Sequence, residues 1–356
     1  MKGTRDNSID ILKGIGILMV VMGHSGCPAN LRTIIYMIHM PLFFLASGYF
    51  LKEKRLLDFP QFMRGKIRTL YVPFIKYSIA FLLLHNLLID AGVMSTEYGA
   101  EYYSPDMMFL RLVLRLVFME VYTEQLLGTY WFLQALFFSY VLLSLSHSLA
   151  SRFTKKPMGN IIFSLTLFLA LLVSTLHLLF PGFKTVCIYR ICMGAAFVWR
   201  GHLLSKRVVT TRLLLLSTLL LTGIFFLHPA SMKEQSDSLD FLSLIVSGTC
   251  GFIVLHKVSW LINKTKGVIP NCISRVLAYM GRESFYIMTF HFLAFKIVSF
   301  VIVLCSGGED YALVGTHPSI KVNGSLWWIA YSVIGVTASL AISKFISSTR
   351  KLFVKQ

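Results

Sequence analysis

The sequence predicts an all-α integral membrane protein, a bundle of about ten transmembrane helices with both termini cytoplasmic. Of its 356 residues 56% are hydrophobic and only 14% charged, with a mean hydropathy of +0.69. Apolar stretches recur from end to end between short loops, each near the roughly 20 residues that cross a hydrocarbon core of about 30 Å. The placing of the cations then sets the orientation.

By the length criterion ten ranges emerge: 9–27, 33–51, 69–89, 128–149, 160–181, 185–203, 213–228, 239–256, 283–304 and 326–346. The longest stretch left outside them, Asp90 to Gln125, is too short for a soluble domain of ordinary size. Residues 1–356 are therefore read as a single membrane domain.

The first range follows Lys2 and Arg5 and ends near Ser25-Gly26, which superficially suits a cleaved secretory leader. It also holds Asp10, Lys13 and His24, and a second span follows at once, so it is read as retained. In the second range, Pro41 lacks an N–H and frees a carbonyl one turn earlier, and Ser47-Gly48 permits close helix approach.

With the amino terminus inside, the inner segments, counted with the span edges, hold 25 of the 34 Lys and Arg. Positive residues accumulate on the side that is not translocated, so both termini are expected in the cytoplasm. The net charge of +18 thus reports topology and not nucleic-acid binding, because the cations lie in short inter-span loops. The densest group runs from Lys52 to Arg68 and could meet anionic phosphates of a cytoplasmic cofactor or of membrane lipid.

In the stretch 90–125, Glu97, Glu101, Tyr102, Tyr103, Glu120 and Glu124 could contact sugars or form a solvated cap. The later ranges add Arg190 in the sixth and Glu283 and His291 in the ninth; eight residues place the last two within about 80° on a helix. Six cysteines show no paired or metal-finger spacing and are read as packing residues. No histidine spacing matches a recognised zinc motif, so no metal is expected.

Candidate chemistry concentrates near the start. Eleven residues advance a helix by about 16 Å and return it to within about 20° of the same face. Lys13 and His24 therefore share one stripe, with Asp10 a turn below Lys13. His39 follows on the second helix, and the two imidazoles are expected to line one passage. Ionisable side chains inside a bilayer are costly and are usually kept for function. Taken singly, Lys13 could snorkel to the interface beside Asp10, and His24 could be a packing residue bonded to a neighbouring helix. Gly23-His-Ser25-Gly26-Cys27 lacks the preceding strand and final glycine of a nucleophile elbow, so Ser25 is rejected as a nucleophile.

The Lys13-x10-His24 pattern, Asp10-Ile-Leu-Lys-Gly14 and His39-Met-Pro-Leu-Phe-Phe-Leu-Ala-Ser-Gly-Tyr-Phe50 resemble the membrane-bound acyltransferase 3 family, in particular its fucose 4-O-acetylase-like branch. Fainter matches are Arg68-Thr-Leu-Tyr-Val-Pro-Phe74, Tyr130-Trp-Phe-Leu-Gln-Ala-Leu136 and the segment Gly281 to His291. The resemblance implies an O-acyltransferase of the bacterial cytoplasmic membrane. It would move an acyl group, commonly acetyl from acetyl-CoA, to a hydroxyl of an envelope carbohydrate, either a polysaccharide or a lipid-linked sugar.

On that reading His24 is the general base and His39 orients acceptor or donor. Asp10, Lys13, Arg64, Lys66 and Arg68 face the cofactor, while Arg190, Glu283 and His291 serve the substrate or the oxyanion. Lys13 stands where Arg is commoner in the family, and an ammonium lacks the planar fork of guanidinium. A transporter or exporter of a small metabolite or glycan precursor, with the same residues lining its path, is the alternative, and a non-enzymatic assembly subunit a third.

Overall fold

The computed structural model describes residues 7–121, 123–154, 159–179, 186–232, 239–308, 310–321 and 325–354. Lys2, Arg5, Lys155, Lys156, Lys184, Lys233 and Lys355 of the cations counted above, residue 122 of the 90–125 stretch, and the end of the 160–181 range lie outside these. Among the described residues there are helices and connecting turns and no strands.

The helices run α1 (Ser8–His24), α2 (Ala29–Tyr49), α3 (Phe59–Lys66), α4 (Val72–Asp90), α5 (Pro105–Phe118), α6 (Trp131–Phe153), α7 (Gly159–Leu179), α8 (Val186–Leu204), α9 (Thr211–Leu227), α10 (Leu239–Lys264), α11 (Val268–Arg282), α12 (Ser284–Cys305) and α13 (Trp327–Val354). Among the described residues each of the ten apolar ranges overlaps one of them. Six helical stretches are long and apolar enough to cross a membrane: Ala29–Tyr49, Phe59–Asp90, Trp131–Phe153, Leu239–Lys264, Ser284–Cys305 and Trp327–Thr349. The chain is a multi-pass integral membrane protein. Helices α3, α5 and α11 were not anticipated, since each mixes cations with apolar residues and fails an apolar-run criterion.

The chain divides into two compact units. The first comprises Met1–Gly16, Thr33–Val72 and Phe132–Ala278, the second Ile17–Arg32, Pro73–Trp131 and Tyr279–Gln356.

In the first unit small residues bring helix backbones together. A Cβ on Gly48 of α2 would lie 1.8 Å from the Val198 carbonyl oxygen of α8, and one on Gly201 of α8 would lie 2.1 Å from that of Leu45. This is the close approach expected at Ser47-Gly48, and it substitutes for the hydrophobic drive that lipid removes. Pro41 sits inside α2, and the carbonyl it leaves free, Met37 O, accepts the Ser247 hydroxyl at 3.4 Å. Gly248 clears the proline ring, because a Cβ there would meet Pro41 Cβ at 2.5 Å. The kink signal in the sequence is thus answered by two consecutive residues of α10.

Helices α3 and α4 join through one π-helical turn, Ile67–Tyr71. Such turns interrupt the regular ladder and are often found at functional positions. In the second unit α12 and α13 pack through Gly335, where a Cβ would strike Phe295 at 2.6 Å and Val21 of α1 at 2.9 Å.

Candidate active site

The second unit brings His24 and His291 together. Their ring centroids are 5.8 Å apart with planes tilted by 34°, although 267 positions separate them in sequence. Phe292 packs edge-on against His24 at 5.0 Å and lies 4.1 Å from the His291 ring. His317, a residue the sequence reading passed over, meets Phe292 from a loop at 4.7 Å. One phenyl ring is therefore flanked by three imidazoles.

The loop is tied down at several points. Lys296 of α12, buried, donates to the carbonyls of Val314 at 3.1 Å and Thr316 at 2.9 Å. The Ser319 hydroxyl donates to the His24 carbonyl at 3.2 Å, which occupies one acceptor at the end of α1. On the opposite flank Thr129 donates to Met288 O at 3.2 Å, and Tyr130 and Thr289 share a 2.8 Å hydroxyl contact. Gly128 closes the gap: a Cβ there would stand 3.3 Å from the Phe292 ring and 3.6 Å from His317 Nε2.

His291 is fully buried. Its Nδ1 lies 3.0 Å from the carbonyls of both Ile287 and Met288. Carbonyls only accept, so Nδ1 carries the proton in the neutral ring and Nε2 keeps a lone pair. That Nε2 is buried without a hydrogen-bond partner among the described residues, as is the Thr316 hydroxyl. Buried polar atoms are nearly always paired, and unpaired ones mark places where a substrate group or water belongs. A lone pair poised beside a second imidazole can take or relay a proton.

Glu283, expected near His291, stands at the position before α12, where its side chain makes no capping bond and instead accepts the Ser343 hydroxyl of α13 at 2.6 Å. It is a helix-packing contact, two turns from the imidazoles.

The remaining sequence candidates belong to the first unit. Asp10 lies in the first turn of α1, where a carboxylate opposes the positive end of the helix dipole; Lys13, one turn on, is half-buried. His39 is buried, its Nδ1 2.7 Å from the Ile35 carbonyl and its ring 5.2 Å from Tyr36. By the same tautomer argument its Nε2 carries the lone pair. Arg190 is buried and donates through Nε to the Met232 carbonyl at 2.9 Å.

A cavity of about 460 Å³ opens in the first unit between the end of α2 and α3. Its polar lining is Ser47, Lys52, Arg55, Gln61, Lys66 and Thr69. The Lys66 ammonium sits 3.5 Å over the Tyr140 ring and 5.2 Å from that of Phe62, so its position is fixed by aromatic faces. Arg64 and Arg68, its neighbours in the basic run, are exposed and do not line the cavity. Of the basic run from Lys52 to Arg68, the cavity takes Lys52, Arg55 and Lys66 into its lining and leaves Arg64 and Arg68 out. No group of three His, Cys, Asp or Glu side chains converges as a cation site among the described residues.

The model of a family described as an acyltransferase domain, acyltransferase 3, matches residues 6–348. No curated protein and no solved structure matches the chain.

Proposed function

The chain belongs to this acyltransferase family, and on that premise we propose that it is a membrane O-acetyltransferase of the fucose 4-O-acetylase-like branch. Acetyl-CoA is the donor, taken from the cytoplasmic side of a bacterial inner membrane, and a hydroxyl of an envelope or lipid-linked carbohydrate is the acceptor. The observation that carries the mechanism is the contact between His24 and His291 beside a buried, unpaired nitrogen.

The acceptor oxygen attacks the thioester carbonyl while His24 removes its proton. The tetrahedral intermediate collapses, the C–S bond breaks, and the thiolate leaves as CoA and recovers the proton. His291, with Nδ1 tied to two carbonyls, offers the Nε2 lone pair that holds this proton in transit from His24 to the leaving thiolate. Within the first unit His39, Lys13 and Arg190 are the side chains proposed to bind donor or acceptor.

The first-unit cavity suits the charged end of the donor. Three cations at its rim match the phosphates of a CoA nucleotide, and Ser47, Gln61 and Thr69 supply neutral hydrogen-bonding groups. Arg64 and Arg68, exposed beside the cavity, then contribute to the local field and not to direct contact; Asp10 is kept as a donor-binding candidate with Lys13.

The test is acetyl transfer by the purified protein in nanodiscs with labelled acetyl-CoA and a membrane glycan fraction. General-base assistance is worth about 10²–10⁴-fold; His24→Ala is expected to lose at least that while still binding the donor. Full transfer by that variant would overturn the assignment of the base. Movement of a solute into vesicles without consumption of acetyl-CoA would overturn the enzyme reading and favour a transporter.

A further inference from the structure

Helix α5 is built inside out. Between Met107 and Phe118 its only charged residues are Arg111 and Arg115, and both turn inward, Arg111 to Glu120 at 3.8 Å and Arg115 to Glu124 at 3.1 Å. Arg115 and Glu124 are each 0% exposed. The opposite face bares Phe109, Leu110, Val113, Leu116 and Val117, with Phe109 at 68%. A helix in water shows the reverse arrangement.

Depth along α4 gives the second observation. Arg115 also donates to the carbonyl of Ser78, twelve residues before the end of α4 at Asp90, hence about 18 Å below that end at 1.5 Å per residue. Tyr103, just before α5, engages α4 at Asn86 and His85. The chain therefore enters level with residues 85–86 and has descended to the level of Ser78 by Arg115. At those levels the far side of α4 exposes Leu83 and Leu87, within a helix apolar enough to span a membrane.

The return path fits the same depth. Met119, Val121, Glu124, Leu126 and Leu127 are all buried, and irregular backbone at membrane depth is tolerated only where protein covers it. Fourteen residues extend about 21 Å, too short for a core of roughly 30 Å.

We propose that residues 105–121 and 123–127 belong to a re-entrant element whose helix, α5, packs its bare apolar face against the acyl chains of bilayer lipid. The occupant is lipid because that face continues at the depth of the leucines of α4 and carries no charge, whereas every ionisable group on α5 below its first turn is consumed inside the protein. This inference stands independently of the acyltransferase mechanism. It is a third reading beside the sugar contacts and the solvated cap weighed for residues 90–125.

The test uses the full chain reconstituted in phosphatidylcholine vesicles that contain a phospholipid with a diazirine on its acyl chain, the attachment sites mapped by mass spectrometry. Adducts are expected on Phe109, Val113 and Val117 at yields similar to those on Leu83 and Leu87. Adducts on α4 with none on α5 would overturn the proposal. So would labelling of α5 by a water-soluble carbene, or α5-to-α5 cross-links between two copies that rise with protein density and displace the lipid adducts.

Discussion

The imidazole of His85 lies flat on the phenol ring of Tyr103, centroids 3.8 Å apart and planes 1° from parallel. Both imidazole nitrogens face acceptors: Nδ1 the Glu124 carboxylate at 3.2 Å and Nε2 the Glu101 carbonyl at 2.8 Å. Two acceptors require two donors, so the hydrogen-bond pattern describes an imidazolium. Burial pushes the Tyr103 phenol up from its ordinary value, which keeps the stacked ring neutral. Glu124 thus serves two buried cations, His85 and Arg115.

Glu124→Ala is expected to leave both groups without their buried carboxylate, with only the Ser78 and Glu101 carbonyls as partners. Breaking a buried pair costs about 3–5 kcal/mol, whereas replacing both members with apolar residues is often neutral. The single variant should lower the thermal unfolding midpoint in detergent by many degrees. Arg115→Met combined with Glu124→Met should recover part of that loss. Equal midpoints for wild type and Glu124→Ala would contradict the network.

Gly48→Ala is expected to prevent correct assembly of the first unit, because its Cβ would sit 1.8 Å from a backbone oxygen that cannot rotate away. Gly223→Ala on α9 meets nothing within 4 Å, and a helical alanine is favoured over glycine by roughly 0.5–1 kcal/mol. Yield of monodisperse protein on size-exclusion chromatography should collapse for the first substitution and hold or rise for the second.

Lys296→Met should free the loop that carries His317. The substitution conserves length but leaves two buried carbonyls, Val314 and Thr316, without their donor, at about 1–3 kcal/mol for each unsatisfied group. Hydrogen exchange of amides 311–317 should accelerate by at least tenfold, while amides in the middle of α13 keep their protection. Unchanged exchange in the loop would show that the ammonium does not hold it.

Lys66→Ala is expected to weaken the donor without slowing chemistry. A tenfold rise in KM for acetyl-CoA corresponds to about 1.4 kcal/mol, a reasonable share for one of three cations around the cavity. The effect on kcat should be small, and Arg64→Ala or Arg68→Ala, both exposed, should change KM much less. Loss of kcat with unchanged KM would move Lys66 away from donor binding.

What the sequence made legible is what lipid makes periodic. Apolar runs of sufficient length announce helices, and among the described residues each of the ten ranges overlaps one. Pro41 and Ser47-Gly48 were readable because their effects are local. Helix α5 was not, since its arginines resemble loop cations until the half-buried carboxylate of Glu120 and the buried one of Glu124 come back to meet them. Nor does any spacing rule join His24 to His291, or raise His317 above an ordinary loop residue; these contacts depend on how α1, α12 and the 314–319 loop pack. In the basic run, composition shows where cations are dense but not which of them line a cavity, because that depends on how the end of α2 and α3 pack.

The contact between His24 and His291 makes a sharper prediction than either residue alone. If His24 is the base and His291 its proton acceptor, His291→Leu should lower kcat with little change in KM, since it removes a group that matters only as charge moves. His291→Asn, which keeps a polar side chain at the site, should retain more activity than the leucine variant. Residues that act as a unit are not additive, so His24→Ala combined with His291→Leu should be barely slower than His24→Ala by itself. A double variant slower by the product of the two single effects would mean that the imidazoles act independently. In that case His291 is a packing residue whose unpaired nitrogen holds water, and the base must find its proton acceptor elsewhere.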